Sequence, residues 1–213
     1  MSISKHSIAS LLLFFLFIPL AAGVAQYHSL DAKQQSGSSE RPRVKRPGRI
    51  ELASLSSEIP DSWLVDQDGK KVRFYSDLVK DKVVVINFFF TSCNYVCPMQ
   101  ARSFVRLKER LAGRLGRDIF FISISKDPEN DTPEKLSKWA KAHDVSAGWT
   151  LVTGEQPVIK KLLRDIAFEG VGQGMHESLI LIGNDRTAIW LSTDGLQLPD
   201  ELVKSIDKVS RSE

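Results

Sequence analysis

The run Lys82–Phe90 (KVVVINFFF) constrains everything around it. Between the lysine and the last phenylalanine only Asn87 is polar, so no alternation separates a wet face from a dry one. A half-exposed strand alternates, whereas one this uniformly apolar has to be covered on both faces. Its β-branched and aromatic residues favour extended backbone. A second run, Ile119–Ser125 (IFFISIS), has the same character. Two such strands need helices above and below, which points to a layered α/β domain.

The flanking sequence supplies those helices. Phe104, Val105, Leu107, Leu111 and Leu115 recur at helical spacing among Arg and Lys, which predicts a helix over Met99–Leu115. Asp131-Thr132-Pro133-Glu134 reads as a helix start, with Asp131 as the cap and the helix ending near His143. Trp149–Val152 is a short strand. Gln156–Phe168 is a helix with Val158, Ile159, Leu162, Leu163 and Ile166 inward, and Pro199–Val209 is a closing helix. Asp66-Gln67-Asp68-Gly69 separates Ser62–Asp66 from Lys71–Tyr75, and Gly183-Asn184-Asp185 separates Ser178–Ile182 from Ala188–Leu191. Both read as hairpins. The first is a turn and not a calcium loop, because the other ligand positions are missing. The expected architecture is a central mixed β-sheet flanked by helices, with an N-terminal β-hairpin.

The N-terminus differs in composition. Lys5 precedes the apolar run Leu11–Leu20 and the small residues Ala21–Ala25, the pattern of an export signal with Ala25 as the last residue before cleavage. The competing reading is a retained anchor over residues 8–25, short for a membrane span and weakened by Ser10 and Pro19. No cysteine follows the apolar run to accept a lipid. Residues 26–50 are polar and basic and read as a flexible linker, able to lie near anionic lipid. The folded domain is expected over residues 51–213. The chain's net charge of +3 belongs to the first 50 residues, since from Glu51 onward there are 22 basic and 24 acidic residues. A mildly acidic domain argues against nucleic acid as a partner. The exported setting is the periplasm or cell envelope, with a membrane tether if the segment is retained.

The chain has two cysteines, Cys93 and Cys97, too few for a disulfide scaffold. They follow the first buried strand at i and i+4, where a helical turn brings Cβ atoms within about 5–6 Å. At a helix N-terminus a thiol loses its proton more readily. A thiolate is both a soft-metal ligand and a redox nucleophile, so the spacing leaves three readings open: a metal pair, a redox pair that closes to a disulfide, and two structural cysteines. A closed zinc site needs about four protein ligands. Only His143 and His176 lie in the domain. His143 falls at a helix C-terminus and reads as structural. His176 follows the Gly170–Met175 loop and precedes a strand, as a third ligand would; Met175 reads as core. Two thiolates with one imidazole suit copper, as Cu(I) or Cu(II).

FFFTSCNYVCP (88–98), SKDPENDTPE (125–134), WTLVTG (149–154) and the histidine before an apolar strand (175–182) together resemble the Sco/SenC family. The resemblance runs from about Ile59 to Val209. It implies a thioredoxin-like fold and a copper-binding metallochaperone that helps assemble the copper centre of cytochrome c oxidase. By position it implies Cys93, Cys97 and His176 as metal ligands, one copper per chain, and Asp127 near the site. It implies the copper-centre subunit of cytochrome c oxidase, or another exported copper protein, as recipient. The loop before His176 is shorter and richer in glycine than the family pattern, and Glu177 follows the histidine. A carrier of this kind is not an enzyme. The alternative is an exported thiol–disulfide oxidoreductase using Cys93 and Cys97, with a thiol reductant protein as partner. Peroxide reduction at Cys93 is a third reading, and no arginine stands at a fixed spacing to support it.

Overall fold

A computed structural model of the chain describes residues 59–167 and 178–211. The leader, the linker, Met175 and His176 lie outside the described residues. In chain order the elements are β1 (Trp63–Asp66), β2 (Lys71–Arg73), a π-helical turn (Phe74–Val79), β3 (Val83–Phe89), α1 (Val96–Arg110), β4 (Ile119–Ser125), α2 (Pro133–Ala142), β5 (Trp149–Thr153), α3 (Gln156–Ala167), β6 (Leu179–Asn184), β7 (Ile189–Asp194) and α4 (Pro199–Ser210). Among the described residues no helix is long and apolar enough to cross a membrane.

The strands form one mixed sheet in the order β2-β1-β5-β4-β3-β6-β7. The most apolar strand, β3, is central, parallel to β4 on one side and antiparallel to β6 on the other. Its side chains divide by the period of two. Val83, Val85 and Phe89 pack under α1, α2 and α4, with Phe104, Leu107, Trp139 and Leu202. Val84, Ile86 and Phe88 pack on the opposite face, with Phe74 and Val79 of the π turn and Ile159 and Leu162 of α3. The double coverage expected from KVVVINFFF is therefore met by one helical layer on each side.

Three expectations change. The helix after the cysteines starts at Val96 and ends at Arg110, so it takes in Cys97 and stops short of Leu115. The strand after Lys71 ends at Arg73, because Phe74 and Val79 turn inward to cover the sheet from a π-helical turn. The second hairpin turns beyond Asn184, with Gly183 inside β6 opposite Trp190. The glycine serves the strand: a Cβ there would stand 2.4 Å from the Trp190 ring. The first turn is the expected one, with Asp66 Oδ1 accepting the N–H groups of Asp68 and Lys70, both at 2.9 Å.

Candidate metal and thiol site

The site lies where β3 and β4 end side by side, Phe89 opposite Ser125. Carboxyl ends of strands in such sheets leave a crevice for chemistry. Past Phe89 the backbone turns, with Cys93 N–H donating to the Phe90 carbonyl at 3.2 Å, and α1 begins. Cys93 stands in that turn and Cys97 in the first turn of α1. Both are 6% exposed and pack in the core cluster with Phe89, Ala101 and Trp139. The helix start is unusual. Tyr95 at the cap position supplies no side-chain hydrogen bond, and the first turn holds no acidic residue. The sulfur of Cys93 takes over part of that role, accepting the Cys97 N–H at 3.3 Å. A thiolate there faces the positive end of the helix.

This geometry divides one proton unequally. Burial opposes ionisation of Cys93, but hydrogen bonds from the Cys97 thiol and from the backbone of Cys97, Tyr95 and Val96 outweigh it and hold the Cys93 thiol below the ordinary range. Burial pushes Cys97 up to about 12, reinforced by its hydrogen bond to Cys93. The arrangement favours the thiolate at Cys93 and the protonated thiol at Cys97. A consequence is measurable with iodoacetamide. Above the lowered pKa of Cys93 this sulfur is expected to alkylate first, at a pH where the thiols of the urea-unfolded chain still react slowly. Its reactivity should disappear as the pH falls through that pKa. Equal labelling of both cysteines in the folded chain, read from peptide masses, would contradict the asymmetry.

The structure brings Cys93 and Cys97 together. It places Asp127 in the turn after β4, where its carboxylate accepts from Asn130 Nδ2 at 3.0 and 3.1 Å. His143 stacks on Trp139 at 4.0 Å and its Nδ1 lies 2.9 Å from the Trp139 carbonyl, as befits a structural histidine at the end of α2. Asp131 is a correction. Thr132 caps α2, its hydroxyl accepting the Lys135 N–H at 3.4 Å. Asp131 is 0% exposed and turns to the cysteine segment instead. It accepts from Thr91 N–H at 3.1 Å, from Thr91 Oγ1 at 2.5 Å and from Ser125 Oγ at 2.6 Å.

A second buried polar set was not anticipated. Asn87, the one polar residue of β3, donates to Gln100 Oε1 at 2.8 Å and accepts from Ser123 Oγ at 2.5 Å. Trp149 Nε1 donates to Ser123 at 2.9 Å. Gln100 Nε2 reaches the Gly195 carbonyl at 3.5 Å, and a Cβ at Gly195 would meet that nitrogen at 2.2 Å. Gln100 lies one turn after Cys97, so this chain of hydrogen bonds pins the cysteine helix to the sheet. A polar residue in the middle of an apolar strand is the sequence signal that marks such a network.

Among the described residues no three His, Cys, Asp or Glu side chains cluster as a metal site. Two buried sulfurs are what these residues provide, and they suit a soft monovalent ion. A family model described as SCO1/SenC matches residues 56–209. The SCO1 protein homolog of Bacillus subtilis is 32% identical over 140 residues, covering 62% of this chain and 71% of that protein. A solved structure of BsSco, described as a member of the Sco family of cytochrome c oxidase assembly proteins with a disulfide switch, is 26% identical with a TM-score of 0.60, covering 79% of this chain and 99% of that one. Yeast Sco1 with copper bound shares the fold at 17% identity and a TM-score of 0.60, covering 73% of this chain and 94% of that one. The architecture is thioredoxin-like, as in these neighbours. With the match extending over most of its length, the chain is a member of the SCO1/SenC family.

Proposed function

We propose that this protein is an exported copper carrier that serves assembly of the copper centre of cytochrome c oxidase. The observation that carries the reading is the pair itself: two buried thiols at a helix N-terminus, one biased toward thiolate, in a member of a family whose yeast representative is solved with copper bound. Copper is the cargo. Cys93 and Cys97 hold it through sulfur, and His176 completes the set with an imidazole. Cu(I) accepts two or three soft donors, so one ligand at a time can be exchanged with a recipient. Tyr95 and Met99, 74% and 42% exposed, flank Cys97 in sequence and offer apolar surface for a protein partner. The export signal or anchor read over residues 1–25 supports a periplasmic or envelope setting for this work.

The second reading has its own observation, the unequal thiols. As a reductant, Cys93 thiolate attacks a partner disulfide, forming a mixed disulfide and releasing one partner thiolate. Cys97 then loses its proton and attacks Cys93 Sγ. The second partner thiolate leaves, two electrons pass to the partner, and a Cys93–Cys97 disulfide remains. His176→Ala separates the readings. Anaerobic titration of the wild type should give about one Cu(I) per chain, and the variant should hold it at least about 10-fold more weakly, as loss of a ligand implies. Thiol–disulfide exchange with oxidised glutathione should change little. Undiminished copper retention in His176→Ala would remove the histidine from the site, and no copper uptake by the wild type would reject the carrier.

A further inference from the structure

We propose that Asp131 is a positioning residue for the cysteine pair: its buried carboxylate ties Thr91, two residues before Cys93, to Ser125 at the end of β4, and thereby fixes the turn that presents Cys93 to Cys97. A carboxylate that is fully buried requires hydrogen-bond donors, and the donors here are specific. Thr91 contributes both its backbone N–H and its hydroxyl, at 3.1 and 2.5 Å from the same oxygen. Ser125 Oγ donates to the other oxygen at 2.6 Å, and itself accepts the Asp127 N–H at 3.1 Å. Two donors from one residue restrict both the position and the rotation of Thr91. The effect of the clamp is therefore delivered at the start of the Thr91–Tyr95 turn.

The sequence distance makes the clamp informative. Thr91 and Asp131 lie 40 residues apart, on the exits of neighbouring parallel strands. Asp131 is not needed to start α2, because Thr132 does that. Its side chain is directed entirely at the cysteine segment and the end of β4. The Cys93 Sγ to Cys97 N–H contact of 3.3 Å depends on where this turn sits relative to α1. Hydrogen-bonded partners around metal ligands act in this way, by holding a ligand's orientation.

The inference rests on the reading of Cys93 and Cys97 as copper thiolates, but the clamp acts equally on the metal-free thiols. The test uses full-length protein with Asp131→Asn, Thr91→Val and, as the conservative control, Thr91→Ser. Cu(I) affinity is read by competition with bicinchoninate, and the preference of iodoacetamide for Cys93 over Cys97 is read by peptide mass spectrometry without copper. Circular dichroism checks the fold. Asp131→Asn and Thr91→Val are expected to weaken Cu(I) binding by about 10-fold or more. In both, the labelling preference for Cys93 should fall toward equality. Thr91→Ser keeps both donors and should stay within about two-fold of the wild type in both readouts. If Asp131→Asn fails to fold, Thr91→Val decides, since it removes one hydroxyl and leaves the volume unchanged. Folded variants that match the wild type in copper affinity and in labelling would overturn the proposal. If the wild type takes up no copper while the variants still lose the Cys93 preference, the carrier reading fails and the clamp stands.

Discussion

Serine at either cysteine is expected to abolish tight Cu(I) binding, while only serine at Cys93 removes the readily alkylated thiol. The proposed two-thiolate site needs both sulfurs, because a hydroxyl is a hard, weakly acidic donor that Cu(I) does not favour. Stoichiometry should fall from about one ion per chain to near zero in Cys93→Ser and in Cys97→Ser alike. Alkylation follows a different rule. In Cys97→Ser the backbone N–H of residue 97 still faces Cys93 Sγ at 3.3 Å, so that sulfur keeps part of its thiolate stabilisation and continues to react. In Cys93→Ser the remaining thiol is Cys97, and burial, the largest cause of its raised pKa, still acts on it, so at pH 8 it should label slowly. The pair of measurements gives a pattern that neither two structural cysteines nor a single reactive thiol would produce. Copper retained at full stoichiometry in either variant would defeat the two-thiolate site. Rapid labelling of Cys97 in Cys93→Ser would show that its protonation depends on Cys93 more than on burial.

Phe104→Ala is expected to cost about 3–5 kcal/mol of stability, the range for removing a large aromatic from a packed core. Phe104 is fully buried on α1, with its ring 5.0 Å from Phe121 and 5.4 Å from Trp149. It therefore joins the cysteine helix to β4 and β5. The cavity left by alanine adjoins the Phe121 and Trp149 rings, which are close-packed and relax into it only partly. Domains of this size have a total stability of about 5–15 kcal/mol, so the loss is a large fraction. Urea unfolding followed by far-UV circular dichroism measures it as a lower midpoint at unchanged slope. Phe104→Leu should cost much less, because most of the volume is kept. A shift below about 1 kcal/mol for the alanine variant would mean that α1 is held chiefly by its polar contacts, Gln100 to Asn87 and Gly195.

The elements were legible in proportion to how local their causes are. β4 spans the residues its apolar run indicates, and α2 ends where His143 and the preceding pattern place it. The bounds of α1 were not legible, because the start of that helix is set by a sulfur at Cys93 in place of an ordinary cap. Gly183 looked like a turn residue and is a strand residue, since what requires a glycine there is the ring of Trp190 on the next strand. Asp131 looked like a helix cap by its neighbours Thr132 and Pro133. Its partner, Thr91, lies on another strand exit, and no local pattern could reveal that.

By itself the sequence determined the layered α/β class and the thiol pair, because both depend on residue types at short spacing. A strand with no polar face must be covered twice, and two thiols one helical turn apart must be neighbours. The tertiary structure decided how burial divides the two thiols, where the Asp131 carboxylate turns, and how the cysteine helix is pinned to the sheet. Those depend on burial and, for Asp131 and the helix, on hydrogen bonds between residues up to 95 positions apart. Burial arises only when strands pair and helices cover them, so the raised Cys97 thiol is set by the fold, while the donors that lower Cys93 come from within the CNYVC motif itself.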